Sequence, residues 1–585
     1  MKSGITGFLA TVISLSVISA VLAKAVDIME ANAHHSEEVV RHSQSLCAGE
    51  KDYIHKRKHV VLESLNSHGI NCEADGIPHI ALLASGGGQR SSVALIGFLS
   101  QLQEERLLDT LLYFGGVSGS TWAMSSVYSD PQWSTNMDKA VTRLSDPGVE
   151  LEQALAWLNE RTKEEYFSLS DIWGVLTSAG MMKQLDLRNL SDEADRDAAN
   201  PYPIYCAIEK ECFSQGTIEG KWFEVTPHEA GFTELGVFIE TSLLGSKFQN
   251  GELKEKKPEM DMVKLQGILG SALADESTIG DFIPPWLDVS GHVDISAEEY
   301  LRVYNAMKKL VALTRITIKD IRALSDLDNL QKMLEDKVNH NDSAWQQAKS
   351  EEERKHLSQK WTLELLAAVE TWSRSLEDGA FKNHVSLLIE KVLPLIIKWE
   401  WGTMANFLYQ YQDSSIPVCL YPKETINLID AGLEVNVPYP SFLGDRRDID
   451  LIIAPEYSAG NMFETLTLAR AYAAAVKKPF PTIDDKILEE KDWPRDCYVF
   501  EGKEKEPTIV FMPLFNRNNC KDAEEYKAKM EEFSTFQPPF NQEKIEFLLQ
   551  KAKANVKNNK EILLREIRKA VLRRQSRNHG TIVHG

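Results

Sequence analysis

The feature that most constrains this chain is an alternation of short apolar runs and glycine-rich turns between residues 78 and 128. The run from Pro78 to Ser85 predicts a buried strand, and Ser91 to Leu108 carries apolar residues at helical spacing. A second run, Leu111 to Val117, predicts another strand, which a helix from Thr121 to Tyr128 follows. Alternation of this kind predicts an α/β layered fold around a central, mainly parallel sheet.

Ser118 lies in the turn between that second strand and its helix, within the sequence Gly-Val-Ser-Gly-Ser at 116–120. A serine between glycines at a strand-to-helix turn is typical of a nucleophile elbow, because the sharp turn exposes the hydroxyl. The positive end of the following helix favours a negative oxygen at the same place. The usual fifth residue is glycine and here it is Ser120, so a structural Gly-Ser turn is the alternative.

A run of three glycines, 86–88, ends the first strand one β–α unit earlier. Because no Cβ blocks the approach, backbone N–H groups of such a loop can converge on a phosphate or on an oxyanion. The loop has neither P-loop nor GxGxxG spacing. With a serine elbow nearby, we favour an oxyanion hole with Gly87 and Gly88 as donors. Arg90 could hold a phosphate, with a salt-bridged structural arginine as the alternative.

The proton acceptor for Ser118 is predicted to be an aspartate rather than a histidine. No histidine after Ser118 stands in an apolar strand-to-turn context, which argues against a Ser–acid–His triad. Asp430 ends the apolar run 426–430 and precedes Ala431-Gly432. The carboxyl edge of an open α/β sheet is where sites assemble, so a Ser118–Asp430 dyad would supply nucleophile and base. A turn-capping aspartate is the alternative.

Composition narrows the class of protein without identifying a function. The chain has 585 residues with 65 Lys and Arg against 86 Asp and Glu, and the net charge of −21 argues against broad nucleic-acid binding. Seven scattered cysteines without a CxxC pair exclude a disulfide scaffold or a Cys-rich zinc site and favour a reduced interior. Because Ser118 and Asp430 must meet, we expect one catalytic body over residues 26–550.

Both termini have features of membrane-contacting segments. Residues 1–25 are predicted to be a signal peptide or a membrane anchor, because Ile5 to Ala23 is an uncharged stretch of 19 residues after Lys2. An apolar helix docked on the body is the alternative. Residues 551–585 are predicted to form a basic helix and tail, for which membrane contact and simple docking are equally compatible.

A helical block is predicted to be inserted into the α/β body from about residue 272 to residue 400. Ser296 and Glu299 form a capping box, which is typical of a helix start. Residues 361–372 and Val385 to Ile397 predict apolar helices within the same block. The fold is therefore expected to carry an inserted helical cap.

Three segments carry a resemblance to a known family: SGGGQR (85–90), GVSGSTW (116–122) and DAGLEVNVPYP (430–440). They resemble the catalytic segments of the cytosolic phospholipase A2 family, which is related to the patatin fold. The similarity extends over residues 45–560 and is greatest to the gamma type, which lacks the calcium-binding C2 domain.

The resemblance assigns the site residues by position. Ser118 matches the family's nucleophile and Asp430 its dyad partner, while Gly87 and Gly88 match the oxyanion donors. The arginines that match substrate phosphate-binding positions are Arg90 and Arg447. The helical insertion matches a cap over the acyl chain. No cofactor, metal or calcium requirement is implied.

Two departures from the family pattern stand out. Gln89 replaces a usual apolar residue and is expected to alter the wall of the acyl channel. The C-terminal residues 582–585 are no CaaX box, so a prenyl anchor is not predicted.

The resemblance implies a serine acyl-hydrolase that cleaves glycerophospholipids at a membrane surface, with phospholipase A2, lysophospholipase and transacylase activities. The expected location is membrane-associated, in the cytoplasm or the endoplasmic reticulum. Two alternatives stay open: a secreted lysophospholipase of the phospholipase B type, and a catalytically silent lipid-binding protein.

Overall fold

The computed structural model describes the ranges 39–274, 320–340, 342–348, 350–379, 399–535 and 539–582, residue 537, and isolated positions between 300 and 395. The predicted signal peptide or anchor (1–25) lies outside the described residues, as do the capping box at Ser296 and most of the segment 385–397. In the ranges that the structure describes, no helix is both long enough and apolar enough to cross a lipid bilayer.

A twelve-stranded sheet lies at the centre of the described chain, and a separate two-stranded sheet accompanies it. The strands, numbered along the chain, are β1 (Arg41–His42), β2 (Ile80–Ala84), β3 (Tyr113–Gly116), β4 (Tyr202–Glu209), β5 (Trp222–Val225), β6 (Glu229–Phe232), β7 (Val237–Glu240), β8 (Lys247–Gln249), β9 (Glu252–Glu255), β10 (Thr403–Ala405), β11 (Thr425–Asp430), β12 (Leu451–Glu456), β13 (Tyr498–Phe500) and β14 (Thr508–Pro513).

The middle of the large sheet is parallel. Its strand order is β1-β7-β6-β5-β4-β3-β2-β12-β14-β13, with β11 paired to β4 and β10 paired to β11. Neighbouring strands from β4 through β3, β2 and β12 to β14 run parallel. Every residue of these five strands is buried, which explains their continuous apolar sequences. The predicted α/β fold with a mainly parallel sheet is confirmed.

Helices cover the sheet and occupy the described part of the predicted insertion. They are α1 (Ala48–Ser67), α2 (Gly88–Glu104), α3 (Gly119–Tyr128), α4 (Asp138–Arg143), α5 (Leu151–Arg161), α6 (Leu169–Leu176), α7 (Lys210–Ser214), α8 (Met262–Leu269), α9 (Ile321–His340), α10 (Asp342–Gln347), α11 (Glu351–Ser375), α12 (Glu464–Ala475), α13 (Asp485–Leu488), α14 (Ala523–Glu532), α15 (Gln542–Asn558) and α16 (Lys560–Ile582). The predicted helices at 91–108 and 121–128 begin earlier than expected, at Gly88 and Gly119.

Two strands share one edge of β4 and approach each other end to end. β3 runs parallel to the first half of β4 and ends with Gly116 opposite Tyr205. β11 runs antiparallel to the second half and ends with Asp430 opposite Ala207. The opposite edge of β4 is occupied by β5. The ends of β3 and β11 therefore face each other across a short gap, and the residues at this gap form the candidate site.

The described helices of the predicted cap pack against one another through aromatic side chains. Trp345 of α10 and Trp361 of α11 are both buried, with ring centroids 5.7 Å apart. The Ser350 hydroxyl caps α11 by accepting a hydrogen bond from the Glu353 N–H at 3.1 Å. The boundaries of the insertion stay a prediction.

The basic helix α16 docks on the body. Its apolar stripe, which includes Leu563, Ile567 and Val571, is buried. Arg574 binds both Asp448 and Asp450, which lie immediately before β12. The end of α16 therefore contacts the amino edge of the parallel strands, opposite the edge that carries Ser118 and Asp430.

A disulfide joins Cys212 of α7 to Cys419, in the loop before β11, with a Cα–Cα distance of 5.3 Å. The expectation of a reduced interior is wrong for this pair. The two cysteines are 207 residues apart in sequence, so local spacing carried no signal of their pairing.

Candidate active site

Ser118 has the backbone conformation of a nucleophile elbow. Its φ of 55° and ψ of −128° place a non-glycine residue in a strained region between β3 and α3. A Cβ on the next residue, Gly119, would lie 2.0 Å from the Gly88 carbonyl oxygen, so only glycine fits there. The turn is therefore held against the glycine loop 86–88, and the Ser118 side chain is only 8% exposed.

Ser120 replaces the usual glycine at the fifth position for a local reason. Its hydroxyl donates a hydrogen bond to the Ser85 carbonyl oxygen at 2.5 Å. The Ser92 hydroxyl adds a second link, because it lies 2.9 Å from the Gly88 carbonyl oxygen and 2.8 Å from that of Gly119. The elbow and the glycine loop are thus joined by side-chain hydroxyl groups.

Asp430 is buried at the end of β11, beside Ser118. Its Oδ1 accepts a hydrogen bond from the Gly432 N–H at 2.8 Å, so the residue also caps the turn that follows. Burial raises the pKa of Asp430 to about 7, an effect that the nearby Ser118 hydroxyl and the hydrogen bond from the Gly432 N–H partly offset. Asp430 therefore caps the turn that follows it and also lies beside Ser118.

The contact between Ser118 and Asp430 is looser than an ordinary hydrogen bond. The hydroxyl is close enough to lower the pKa of the carboxyl group, yet Asp430 Oδ2 has no partner of good hydrogen-bond geometry among the described residues. Contacts between a nucleophile and its base often tighten only when substrate binds. Among the described residues, no histidine side chain hydrogen-bonds to either member of the pair.

The glycine loop lies directly against the elbow. Gly87 has a φ of 151° and Gly88 a φ of 58°, conformations that side chains rarely adopt. A Cβ at Gly86 would lie 2.6 Å from the Ser118 Cβ. Gly88 is the first residue of α2, so its N–H has no carbonyl partner within that helix. The predicted oxyanion donors therefore adjoin the serine at the positive end of a helix.

Asn436 is a site residue that the sequence reasoning missed. Its Nδ2 donates to the Gly86 carbonyl oxygen at 3.1 Å and to the Ser458 hydroxyl at 2.7 Å. Its own carbonyl oxygen accepts from the Gly86 N–H at 3.1 Å. Asn436 thus ties the glycine loop to the segment after Asp430. The only available signal was its place within the segment 430–440.

Arg90 is buried and donates three hydrogen bonds to groups of the protein. Its Nε donates to the Tyr457 carbonyl oxygen at 2.8 Å, and Nη1 donates to the Phe533 carbonyl oxygen at 2.6 Å. The Thr535 hydroxyl accepts from Nη2 at 3.3 Å. Burial lowers the pKa of Arg90 to about 10. The guanidinium group therefore holds the segment around residue 535 against the glycine loop, and because Arg90 is only 1% exposed, the protein covers its two remaining N–H donors.

Gln89 has a comparable role. Its Oε1 accepts a hydrogen bond from the Phe540 N–H at 2.7 Å, and the side chain is buried. The family departure at this position therefore anchors the chain before α15.

Arg447 lies in a buried ion-pair cluster and bonds to none of the other predicted site residues. Its Nε and Nη2 bind the Glu50 carboxylate at 2.8 and 3.0 Å. Nη1 and Nη2 bind Glu224 at 3.2 and 2.8 Å. Although burial alone would raise it, the guanidinium groups of Arg446 and Arg447 bring the pKa of Glu224 to about 2. The structure does not support the predicted phosphate-binding role of Arg447.

One group of potential metal ligands occurs in the part of the chain that the structure describes: Cys47, Glu50 and Glu229, with ligand atoms within 4.8 Å of one another. Arginines already bind both carboxylates, with Arg41 on Glu229 at 2.7 Å and Arg447 on Glu50 at 2.8 Å. Burial raises the pKa of the Cys47 thiol to about 11, which disfavours the thiolate that a metal needs. We therefore interpret the group as an ion-pair cluster.

Comparison with known proteins gives consistent matches. A family model described as the lysophospholipase catalytic domain matches residues 80–277. Cytosolic phospholipase A2 gamma from Mus musculus is 31% identical over 555 residues, covering 89% of this chain and 90% of the relative. The protein of the same name from Homo sapiens is 30% identical over 540 residues, covering 88% of this chain and 94% of the relative.

Among solved structures, human GIVD cytosolic phospholipase A2 superposes with a TM-score of 0.62 at 22% sequence identity. The match covers 92% of this chain and 66% of that structure. At this identity the likeness shows the fold.

Proposed function

The chain belongs to the cytosolic phospholipase A2 family, and on this premise we propose that it hydrolyses fatty-acyl esters of glycerophospholipids through a Ser118–Asp430 dyad. Family membership supports a phospholipase or lysophospholipase hydrolase activity. The observation that carries the mechanistic part is the proximity of the Ser118 hydroxyl to the buried Asp430 carboxylate, where β3 and β11 end.

Asp430 is the proposed general base. With a pKa of about 7, it is partly ionised at neutral pH and is a stronger proton acceptor than an exposed aspartate. It takes the proton from Ser118 Oγ while that oxygen attacks the ester carbonyl carbon. When the C–O ester bond breaks, the same proton passes to the leaving oxygen, and the lysophospholipid departs.

The glycine loop is proposed to stabilise the negative oxygen of the tetrahedral intermediate. The N–H groups of Gly87 and Gly88 are the donors, at the start of α2. A donor of this kind typically lowers the activation free energy by about 3–4 kcal/mol. The positive φ angles of Gly87 and Gly88 and the close approach of the loop to the elbow are consistent with this role, because no side chain stands between the loop backbone and the serine.

The second half of the reaction releases the fatty acid. A water molecule gives its proton to Asp430 and attacks the acyl–Ser118 ester, and the serine then recovers the proton. Because any hydroxyl group of suitable reach can replace water, a lysophospholipid can accept the acyl chain. Lysophospholipase and transacylase activities therefore share this intermediate.

Arg90 is proposed to position the oxyanion loop rather than to bind phosphate. Its three hydrogen bonds hold Tyr457, Phe533 and Thr535 around the loop. We do not retain Arg447 as a substrate ligand, because its donors are bound to Glu50 and Glu224.

We propose that the reaction requires neither calcium nor a cofactor. The residues named above supply nucleophile, base and oxyanion donors from the protein itself. The substrate is a glycerophospholipid in a membrane, so the working location is a membrane surface. We expect no nucleic-acid partner, since the chain carries a net charge of −21.

A secreted lysophospholipase is the second candidate, and the Cys212–Cys419 disulfide is the observation that favours it. Disulfides persist in oxidising compartments such as the lumen of the endoplasmic reticulum. Sequencing the amino terminus of the mature protein distinguishes the two: loss of residues 1–25 supports secretion, and an intact start supports the membrane-associated enzyme.

The proposed function is tested with a panel of phospholipids and lysophospholipids, with products identified by mass spectrometry in the presence and absence of a calcium chelator. We expect free fatty acid and lysophospholipid at equal rates in both conditions. Loss of activity in the chelator would overturn calcium independence. Lipid binding without any product would favour the silent lipid-binding alternative.

A further inference from the structure

The loop 411–424, which precedes β11, presents apolar side chains to solvent. Val418 is 80% exposed and Tyr421 is 41% exposed. Single exposed apolar residues need no explanation, but these two lie on one turn between Pro417 and Pro422. The loop therefore offers a small apolar surface.

The turn that carries these side chains is rigid. The N–H groups of Leu420 and Tyr421 donate to the Pro417 carbonyl oxygen at 2.9 and 3.1 Å. Asn406 Nδ2 donates to the carbonyl oxygens of Leu420 and Lys423, both at 2.8 Å. The disulfide at Cys419 ties the turn to α7. The hydrogen-bonded backbone of this turn therefore holds Val418 and Tyr421 in exposed positions.

The loop lies beyond the carboxyl edge of the parallel strands, the same edge that carries Ser118. β11 starts at Thr425, directly after the loop, and runs antiparallel to β4 until Asp430. Leu428 is opposite Glu209, the last residue of β4, so the start of β11 projects beyond the carboxyl edge of the parallel strands. At the rise of a β-strand, the loop begins roughly 17 Å outward from Asp430.

The basic helix α16 is placed differently. Arg574 and Arg577 near its end bind Asp448 and Asp450, which precede β12 at the amino edge of the same sheet. A bilayer held by this end of α16 would lie on the side away from Ser118. The loop 411–424 is better placed to bring a lipid substrate to the site.

The charged groups around the loop carry no excess of positive charge. Lys423 pairs with Glu211 at 3.0 Å, Asp413 lies 3.0 Å from His42 Nδ1, and Glu424 adds another carboxylate. Contact with a membrane would therefore depend on insertion of apolar side chains and not on attraction to anionic lipid. Tyrosine is typical of membrane interfaces, since its ring is apolar and its hydroxyl stays in water.

We propose that the loop 411–424 seats this protein on a phospholipid bilayer by inserting Val418 and Tyr421 among the lipid headgroups. The proposal rests on the proposed phospholipid hydrolase function, because that function supplies the reason for the site to face a bilayer. Loss of each side chain is expected to weaken partition into the membrane roughly tenfold.

The test uses the full chain and vesicles of phosphatidylcholine. The variant is Val418→Ser with Tyr421→Ser, and the matched control is Leu572→Ser, which removes a 63%-exposed apolar side chain from α16. In a vesicle-sedimentation assay, we expect the partition coefficient of the loop variant to be at least tenfold lower than that of wild type, in low and in high salt. The control should bind like wild type. Equal binding by the loop variant, or loss of binding in the control alone, would overturn the proposal.

Hydrogen exchange locates the contact directly. Vesicles should slow amide exchange in the peptide 411–424 and leave the peptide 561–577 of α16 unchanged, whereas the reverse pattern would refute the proposal. A water-soluble short-chain aryl ester separates the two hypotheses. The loop variant should keep its hydrolysis of that ester while losing vesicle hydrolysis. If wild type cleaves neither substrate, the proposed function fails, but vesicle binding and exchange still test the loop.

Discussion

Ser118 and Asp430 meet because β3 and β11 approach end to end along one edge of β4, the first leading into the serine and the second ending at the aspartate. β3 runs parallel to β4 and leads into the sharp turn at Ser118, whereas β11 runs antiparallel to β4 and ends at Asp430. This arrangement buries both residues, with Asp430 fully covered and Ser118 8% exposed. It supports the proposed dyad, because it brings the two side chains together.

The pH dependence of catalysis follows from burial of Asp430. Burial raises the pKa of Asp430 to about 7, and only the ionised carboxylate accepts the proton of Ser118. We expect kcat/KM for a soluble ester to fall about tenfold per pH unit below pH 7 and to be flat above it. A rate that stays constant down to pH 5 would contradict the role of Asp430 as base.

The same group has a consequence for stability. The pKa of Asp430 is raised from 3.8 to about 7 on folding, so the folded chain holds the proton more tightly than the unfolded chain. The Asp430 carboxyl group therefore contributes favourably to the free energy of unfolding at low pH, and this contribution is lost as the pH rises through 7. Asp430→Asn stays neutral and should increase the free energy of unfolding at pH 8 by a few kcal/mol, at roughly 1.4 kcal/mol per pKa unit.

Urea unfolding at pH 4.5 and pH 8 measures this difference. Asp378→Asn is the control, because a hydrogen bond from Lys382 lowers the pKa of this exposed aspartate. The control should gain no stability at pH 8. If Asp430→Asn were no more stable than wild type at pH 8, burial would not destabilise the ionised carboxylate.

The oxyanion loop should not tolerate a side chain. At Gly88 the φ is 58° and an added Cβ would lie 2.9 Å from the Thr535 carbonyl oxygen, so Gly88→Ala must shift the loop. We expect kcat to fall about 10²–10³-fold, as for loss of an oxyanion donor. Gly69→Ala is the matched control, since Gly69 also has a positive φ (68°) but an added Cβ there would have no atom within 4 Å. This variant should keep full activity. Equal effects of the two substitutions on kcat would count against the oxyanion assignment.

Arg447 is expected to matter for stability and not for substrate binding. Arg447→Lys keeps the charge but cannot bind Glu50 and Glu224 with paired hydrogen bonds. Its unfolding free energy should fall by about 1–3 kcal/mol, with kcat/KM of the folded enzyme within about twofold of wild type. Denaturant titration and steady-state kinetics check both. A large rise in KM without loss of stability would restore the phosphate-binding role.

The local parts of the site could be predicted because they depend on neighbouring residues. The strand before Ser118 and the helix after it follow from an apolar run and glycines within residues 111–128, and Asp430 follows from the end of another apolar run. Burial on both faces of the central strands explains why these runs are continuous and easily recognised.

The remaining features depend on residues far apart in sequence. Arg90 is bonded to Phe533 and Thr535, and Asn436 is bonded to the glycine loop more than 300 residues earlier. The chemistry of an isolated arginine favoured phosphate as its ligand, whereas the fold surrounded it with carbonyl oxygens. Pairing of Cys212 with Cys419 arises in the same way, since α7 and the loop before β11 meet only in the folded chain.

The central claim, attack by Ser118 with Asp430 as base, is tested most directly by mass spectrometry of enzyme quenched in acid during turnover of a phospholipid. The account predicts an acyl adduct on the peptide that contains Ser118 in wild type, none in Ser118→Ala, and formation slowed about 10²–10⁴-fold in Asp430→Asn. An adduct on another residue, or phospholipid turnover by Ser118→Ala at the wild-type rate, would contradict it.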